Sequence, residues 1–178
     1  MNPSFAWVFA VVALQRLFEL IVSRRNRRVL EALGGRELYP ESFRRVAALH
    51  GLFFAALLAE SYPWRVPLDA LTIVCLAVLF ILSAVRYWCM ASLGKHWNVR
   101  IVVVPGGQAK RSGPYRYVRH PNYLAVALEF LFLPILMRAP ATMAVFFLAN
   151  IAVLRQRIRL EEKALRELTD YGNLFATH

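Results

Sequence analysis

Long apolar runs separated by arginine-rich segments constrain this chain more than any other feature. Ala70 to Val85 contains no charged residue. At about 1.5 Å per helical residue, such a run covers most of a hydrocarbon layer about 30 Å thick. Gly94 to Pro121, by contrast, holds Lys95, Arg100, Lys110, Arg111, Arg116 and Arg119 and no acid. Charge is excluded from the bilayer core, so the alternation reads as an all-α, polytopic integral membrane protein forming a single domain over residues 1–178. A hydrophobic content of 58% and a mean hydropathy of +0.44 are too apolar for an ordinary soluble domain.

Five spans follow from the pattern: Ser4 to Val22, Val46 to Tyr62, Leu68 to Leu93, Asn122 to Met137, and one beginning near Ala141. The first three occupy residues 1–93. A basic loop is expected after Val22, broken at Gly34-Gly35. Helical periodicity in the last span continues beyond Leu154 to Leu168, which predicts one long helix emerging from the membrane. Gly94 to Pro121 reads as a partly buried interfacial loop, with Gly106-Gly107 and Gly113-Pro114 as turns.

The net charge is +11. Nucleic-acid binding fits poorly, because the basic residues are dispersed among spans rather than gathered on one face. Their bias toward alternate loops instead places the N-terminus outside and the C-terminus in the cytoplasm, next to anionic membrane lipid. Cys75 and Cys89, on one expected helix, stand about 21 Å apart and cannot form a disulfide.

Two clusters carry chemistry. On the last helix Asn150, Leu154, Arg157 and Glu161 share one narrow stripe. Arg157 and Glu161 read either as a surface ion pair or as functional groups. In the middle of the chain, Pro121 suits a first helical turn. His120 and Tyr123 then crowd a helix N-terminus, where N–H groups and the dipole favour an anion such as an amino-acid carboxylate. An interfacial aromatic belt of Tyr115, Tyr117 and Tyr123 is the competing reading. Glu129 at mid-span reads either as a proton acceptor or as a protonated carboxyl bonded to a neighbouring helix. His50 reads as a packing residue, and Glu60 as solvated near a boundary. No metal-ligand spacing is visible.

The string Gly113-Pro114-Tyr115-Arg116-Tyr117-Val118-Arg119-His120-Pro121-Asn122-Tyr123, followed after a hairpin by Arg157 and Glu161-Glu162, resembles the isoprenylcysteine carboxyl methyltransferase family. That resemblance implies S-adenosyl-L-methionine as cofactor, held by a loop and helical hairpin over residues 94–168. It implies cofactor contacts at Tyr115, His120, Pro121, Asn122, Tyr123 and Glu161, and along Gly107, Gln108, Ala109 and Lys110. It implies a catalytic role for Arg157, facing a lipophilic acceptor; Glu129 is the candidate base.

The strings around Gln15-Arg16-Leu17-Phe18-Glu19-Leu20, Arg25-Asn26, Leu49-His50 and Glu60 are similar to small microbial members, some associated with phenolic lipids or alkylpyrones. The acceptor is then a prenylcysteine carboxylate or a phenolic, polyketide-derived lipid. Two alternatives are a membrane sterol-type reductase using NADPH and a non-enzymatic lipid-binding protein.

Overall fold

The computed structural model describes residues 2–172. Five helices alternate in direction: α1 (Ala6–Ala32), α2 (Pro40–Glu60), α3 (Ala70–Leu93), α4 (Pro121–Leu136) and α5 (Pro140–Leu168). Four are long and apolar enough to cross a membrane; α4, with 16 residues, is shorter. Proline opens α2, α4 and α5, where its missing N–H costs no helical bond. Asp69 caps α3 by accepting the Thr72 N–H at 2.9 Å. The single long helix expected through Arg155 is present as α5.

Three features differ from expectation. α1 runs on past Val22 to Ala32, so Arg24, Arg25, Arg27 and Arg28 are helical rather than in a loop. Arginine is a good helix former, and no breaker intervenes before Gly34, which takes a positive φ of 84°. α2 begins at Pro40, so Arg44 and Arg45 lie on its early turns. Hydropathy marks where lipid ends, not where a helix ends. The third difference is a small antiparallel sheet, β1 (Arg36–Leu38) with β2 (Ile101–Val103), in which Glu37 stands opposite Val102. Glu37 also receives Arg27 at 3.2 Å and Arg100 at 2.5 Å.

α4 lies centrally, packed on both α3 and α5, and buries Ala125, Val126, Ala127, Phe130, Leu133 and Leu136. Phe53 of α2 stacks on Phe130 at 4.1 Å. Cys75 and Cys89 are free and buried. α1 is fastened near its ends. Phe5 donates its N–H to the Trp64 carbonyl at 2.8 Å. At the other end Asn26 donates to the Gly94 and Trp97 carbonyls, at 3.1 and 2.7 Å.

Between those ends, four charges meet. Glu19 of α1 accepts Arg86 of α3 at 2.5 Å and Arg16 at 2.7 Å. Arg16 also reaches Glu129 of α4 at 2.8 Å, and Arg86 lies 3.6 Å from Glu129. The quartet sums to zero charge and joins three helices. Glu129, read as a possible protonated carboxyl, instead stands between two guanidinium groups. Glu60, read as solvated, is exposed but also accepts the Ala141 and Thr142 N–H groups at 2.9 and 2.7 Å. It thereby serves the N-terminus of α5.

Removing one member of a buried pair strands its partner's charge, a loss of about 3–5 kcal/mol. Arg86→Met is therefore expected to lower the melting temperature of detergent-solubilised protein sharply. Glu19→Gln combined with Arg86→Met leaves a balanced Arg16–Glu129 pair, so the double variant should melt above the single one. Thermal unfolding followed by circular dichroism measures both.

Candidate functional site

The segment between α3 and α4 wraps the end of the bundle where α1 and α5 finish. Trp97 is buried, and the Val99 N–H donates to Ser23 Oγ of α1 at 3.1 Å. Ile101 and Val103 of β2 pack with Ala164, Leu160 and Leu165 of α5. The chain then turns at Gly106, with φ of 74°, and Gly106 donates to the Leu168 carbonyl at 2.8 Å. Ala109 donates its N–H to Asp170 Oδ1 at 2.6 Å. Residues after α5 thus strap the loop that precedes the central motif.

Gly113 has a φ of 55°, and a Cβ there would lie 2.0 Å from Ser92 Oγ of α3. Only glycine fits this close approach, which presses the 3-10 turn Gly113–Arg116 against α3. The turn directs Tyr115 to the buried Cys89, with which its hydroxyl forms a hydrogen bond. α4 starts five residues beyond the turn, at Pro121.

A cavity of about 160 Å³ opens between this wrap and the α4–α5 hairpin. Gly107, Gln108, Ala109, Lys110, Tyr115, His120, Asn122, Tyr123 and Glu161 all line it. The expected loop, motif and last-helix residues therefore converge on one space. Pro121 is buried behind it as the first residue of α4. Arg157 and Glu129 are not among its lining. Further walls come from His96, Trp97, Asn98, Arg119, Thr169 and Tyr171. The sequence offered only weak signals for these: an isolated aromatic in a basic loop, and residues just past a helix end.

Inside the cavity Tyr123 is the hub. Its hydroxyl donates to the Glu161 carboxylate and accepts the Arg157 Nε–H at 2.8 Å. Arg157 and Glu161 share a helical stripe, as their spacing requires, and the tyrosine links them across it. Arg157 is buried. Its other nitrogens donate to the Val99 carbonyl at 2.5 Å and to Ser42 Oγ at 3.4 Å. The guanidinium therefore fastens α2, α4, α5 and the wrapping segment. Arg155 and Arg159, on either side of it, are exposed. His120 stacks on Tyr123 and meets Glu162 at 3.1 Å. Asn122 Oδ1 is buried with no hydrogen-bond partner among the described residues. An orphaned acceptor of this kind is costly unless a ligand or water fills it.

Glu129 lies elsewhere. It stands seven residues after Asn122, two helical turns or about 10.5 Å along α4. It lines a different and larger cavity, with Arg16 and His50. Among the described residues, no cluster of three or more His, Cys, Asp or Glu is placed to hold a metal ion.

Residues 73–167 match the isoprenylcysteine carboxyl methyltransferase (ICMT) family. That stretch contains α4, nearly all of α3 and α5, and the wrapping segment. The chain is also similar to "Uncharacterized protein YpbQ" of Bacillus subtilis (strain 168). Identity is 37% over 163 residues, covering 92% of this chain and 97% of that protein. A second relative, an uncharacterized protein of Haemophilus influenzae (strain ATCC 51907 / DSM 11121 / KW20 / Rd), is 28% identical over 168 residues. That match covers 94% of this chain and 95% of the relative. No solved structure matches.

The electrostatics of the cavity favour donors that keep their protons. Burial pushes the Tyr115 hydroxyl well above its usual range, and the nearby Cys89 and Glu161 push it further. Tyr115 is thus a neutral donor at any physiological pH. A phenol raised in the folded state holds its proton where the unfolded chain, near pH 10, releases it. Its contribution is whole below about pH 10 and is lost as pH rises beyond it. The melting temperature is expected to fall more steeply between about pH 9 and pH 11 in the native protein than in Tyr115→Phe. Parallel thermal scans across that range measure the difference.

Proposed function

The chain belongs to the isoprenylcysteine carboxyl methyltransferase family of membrane methyltransferases, and on that premise we propose that it is an S-adenosylmethionine-dependent O-methyltransferase acting on a lipophilic acceptor. The observation that carries this reading is the convergence of the 107–110 loop, the His120–Tyr123 motif and Glu161 on one cavity.

The residues present suit the cofactor. It is a cationic amino-acid nucleoside, with an ammonium, a carboxylate, ribose hydroxyls and a base. Glu161 offers a carboxylate to a cation. The unpartnered Asn122 Oδ1 offers an acceptor to an N–H or O–H. Gly107 to Lys110 offer backbone groups beside the cavity. The enclosed volume is about 160 Å³, below the range of about 300–1,000 Å³ common for ligand sites.

When bound, the cofactor supplies an electrophilic methyl group that needs no further activation. What remains for the protein is to align an acceptor oxygen and exclude water, and alignment accounts for several kcal/mol in reactions of this kind (about 7–11 at most). Tyr123 and Arg157 provide this. The guanidinium holds the tyrosine hydroxyl from one side while Glu161 accepts from the other, so the three side chains form one fixed unit. Its positive end lies nearest the membrane, where it favours an anionic acceptor oxygen, carboxylate or phenolate. Lysine would keep the charge but not the fork that spans Tyr123, Val99 and Ser42. Glu129, committed to two arginines, serves in this reading to hold α4 rather than to take a proton.

We further propose that the cavity faces the cytoplasm. The ends of α1 and α5, the start of α2 and the connecting segments at that end of the bundle carry most of the arginines. A cysteine placed at position 65, at the opposite end, should react only from outside in oriented vesicles.

His120→Ala and Glu161→Ala are each expected to weaken S-adenosylmethionine binding by about tenfold or more, near 1.4 kcal/mol. Calorimetry on the purified protein reads this directly. Arg157→Lys should keep most of the cofactor affinity and lose most methyl transfer. Wild-type affinity in both alanine variants would remove the cofactor from this cavity.

A further inference from the structure

The stretch that matches the family begins at residue 73, so α1 stands outside it. Yet two side chains near the end of α1, one turn apart, are committed to the segment that follows α3. Ser23 is buried, and its hydroxyl is occupied on both sides there. It donates to Asn98 Oδ1 at 2.7 Å and accepts the Val99 N–H at 3.1 Å. Asn98 Nδ2 returns a bond to the Ser23 carbonyl at 3.2 Å. Asn26 Nδ2 donates to the Gly94 and Trp97 carbonyls, at 3.1 and 2.7 Å. Serine and asparagine are weaker helix formers than the arginines at 24, 25 and 27 around them. Their place in α1 is explained by these bonds rather than by the helix.

The segment so held is a wall of the smaller cavity. Between the 3-10 turn that ends at His96 and β2, which starts at Ile101, it has no regular structure of its own. Trp97 and Asn98 line the cavity, and Trp97 is buried. Val99 faces both ways: its N–H is fixed by Ser23, and its carbonyl accepts Arg157 Nη2 at 2.5 Å. Arg157 in turn holds the Tyr123 hydroxyl at 2.8 Å. Ser23 and Asn26 do not themselves line the cavity.

We infer that Ser23 and Asn26 are positioning residues for the cofactor site. They hold Trp97 and Asn98 in place as its wall and Val99 in place as the anchor of Arg157, without touching the ligand. This deepens the methyl-transfer reading and rests on it. It also gives α1, outside the matched stretch, a specific part in the site.

The test titrates the full chain in nanodiscs with S-adenosylmethionine by calorimetry, well below the melting temperature. Hydrogen exchange read by mass spectrometry follows the Val99 amide in the same proteins. Ser23→Ala and Asn26→Asp are each expected to weaken cofactor binding about tenfold. Asn26→Asp keeps the shape of the side chain but replaces its donor with an acceptor. Asn26 is half-buried, and its variant keeps the test open if the buried Ser23→Ala fails to fold. Exchange at Val99 should be about tenfold faster in Ser23→Ala, with or without cofactor, because the amide has lost its acceptor. Glu60→Ala removes the acceptor at the start of α5, at the far end of the bundle. It reports lost stability alone and should bind the cofactor as the native chain does. Native affinity in the folded variants would overturn the proposal and leave the cofactor reading standing. Unchanged exchange at Val99 would do the same, as would a Glu60→Ala protein weakened as much as Ser23→Ala. A native chain that binds no S-adenosylmethionine would overturn the cofactor reading and this proposal with it.

Discussion

A charge inside a bilayer must find its opposite, and in this fold that requirement holds α1 to the rest. The backbone of α1 makes its close contacts near its ends. At mid-length Arg16 and Glu19 reach across to Arg86 and Glu129. Two acids and two arginines on three helices pair with one another, leaving Arg86 Nη1 buried without a partner among the described residues. Hydrophobic packing would not do the same work, since a helix gains no apolar burial by leaving lipid for protein. The polar contacts therefore tie α1 at mid-length to α3 and α4.

At the other end of α4 the same device recurs in lighter form. Arg157, Tyr123 and Glu161 form a chain of hydrogen bonds linking α4 to α5, with Val99 and Ser42 as further anchors. The first turn of α4 is thus fixed from several directions at once. Asn122, one residue away from this hub, keeps a buried oxygen unsatisfied. A well-organised surround with one open valence is the arrangement expected of a site that receives a ligand.

Features that depend on neighbours in sequence were legible beforehand. Stripe periodicity foretold that α5 runs unbroken from the membrane through Glu161 and that Asn150, Leu154 and Arg157 share one face; that this face is buried emerges only in the structure. The Arg16–Glu19 contact, three residues apart on one helix, is of the same local kind. Pairings between distant segments were not. Arg86 sits at the end of an apolar run and gives no hint that it meets Glu19, 67 residues earlier. The β1–β2 pairing joins strands of three residues each, too short to show an alternating pattern. Tyr115, His120, Asn122 and Tyr123 of the motif line one cavity with Glu161. Glu129 did not join them, because its partners lie on α1 and α3.

The strap behind α5 bears on timing. Leu168, Thr169 and Asp170 grip Gly106, Gly107 and Ala109 through main-chain and carboxylate bonds. These contacts sit on the solvent side of the smaller cavity, away from the lipid. In the proposed reaction a spent nucleoside leaves by that route, while a methylated lipid leaves through the bilayer. The two products then depart by different doors, and only one of the doors is latched. In that proposed arrangement release of the nucleoside waits on the latch, whose lifting is a motion of microseconds to milliseconds in comparable loops, while release of the lipid does not.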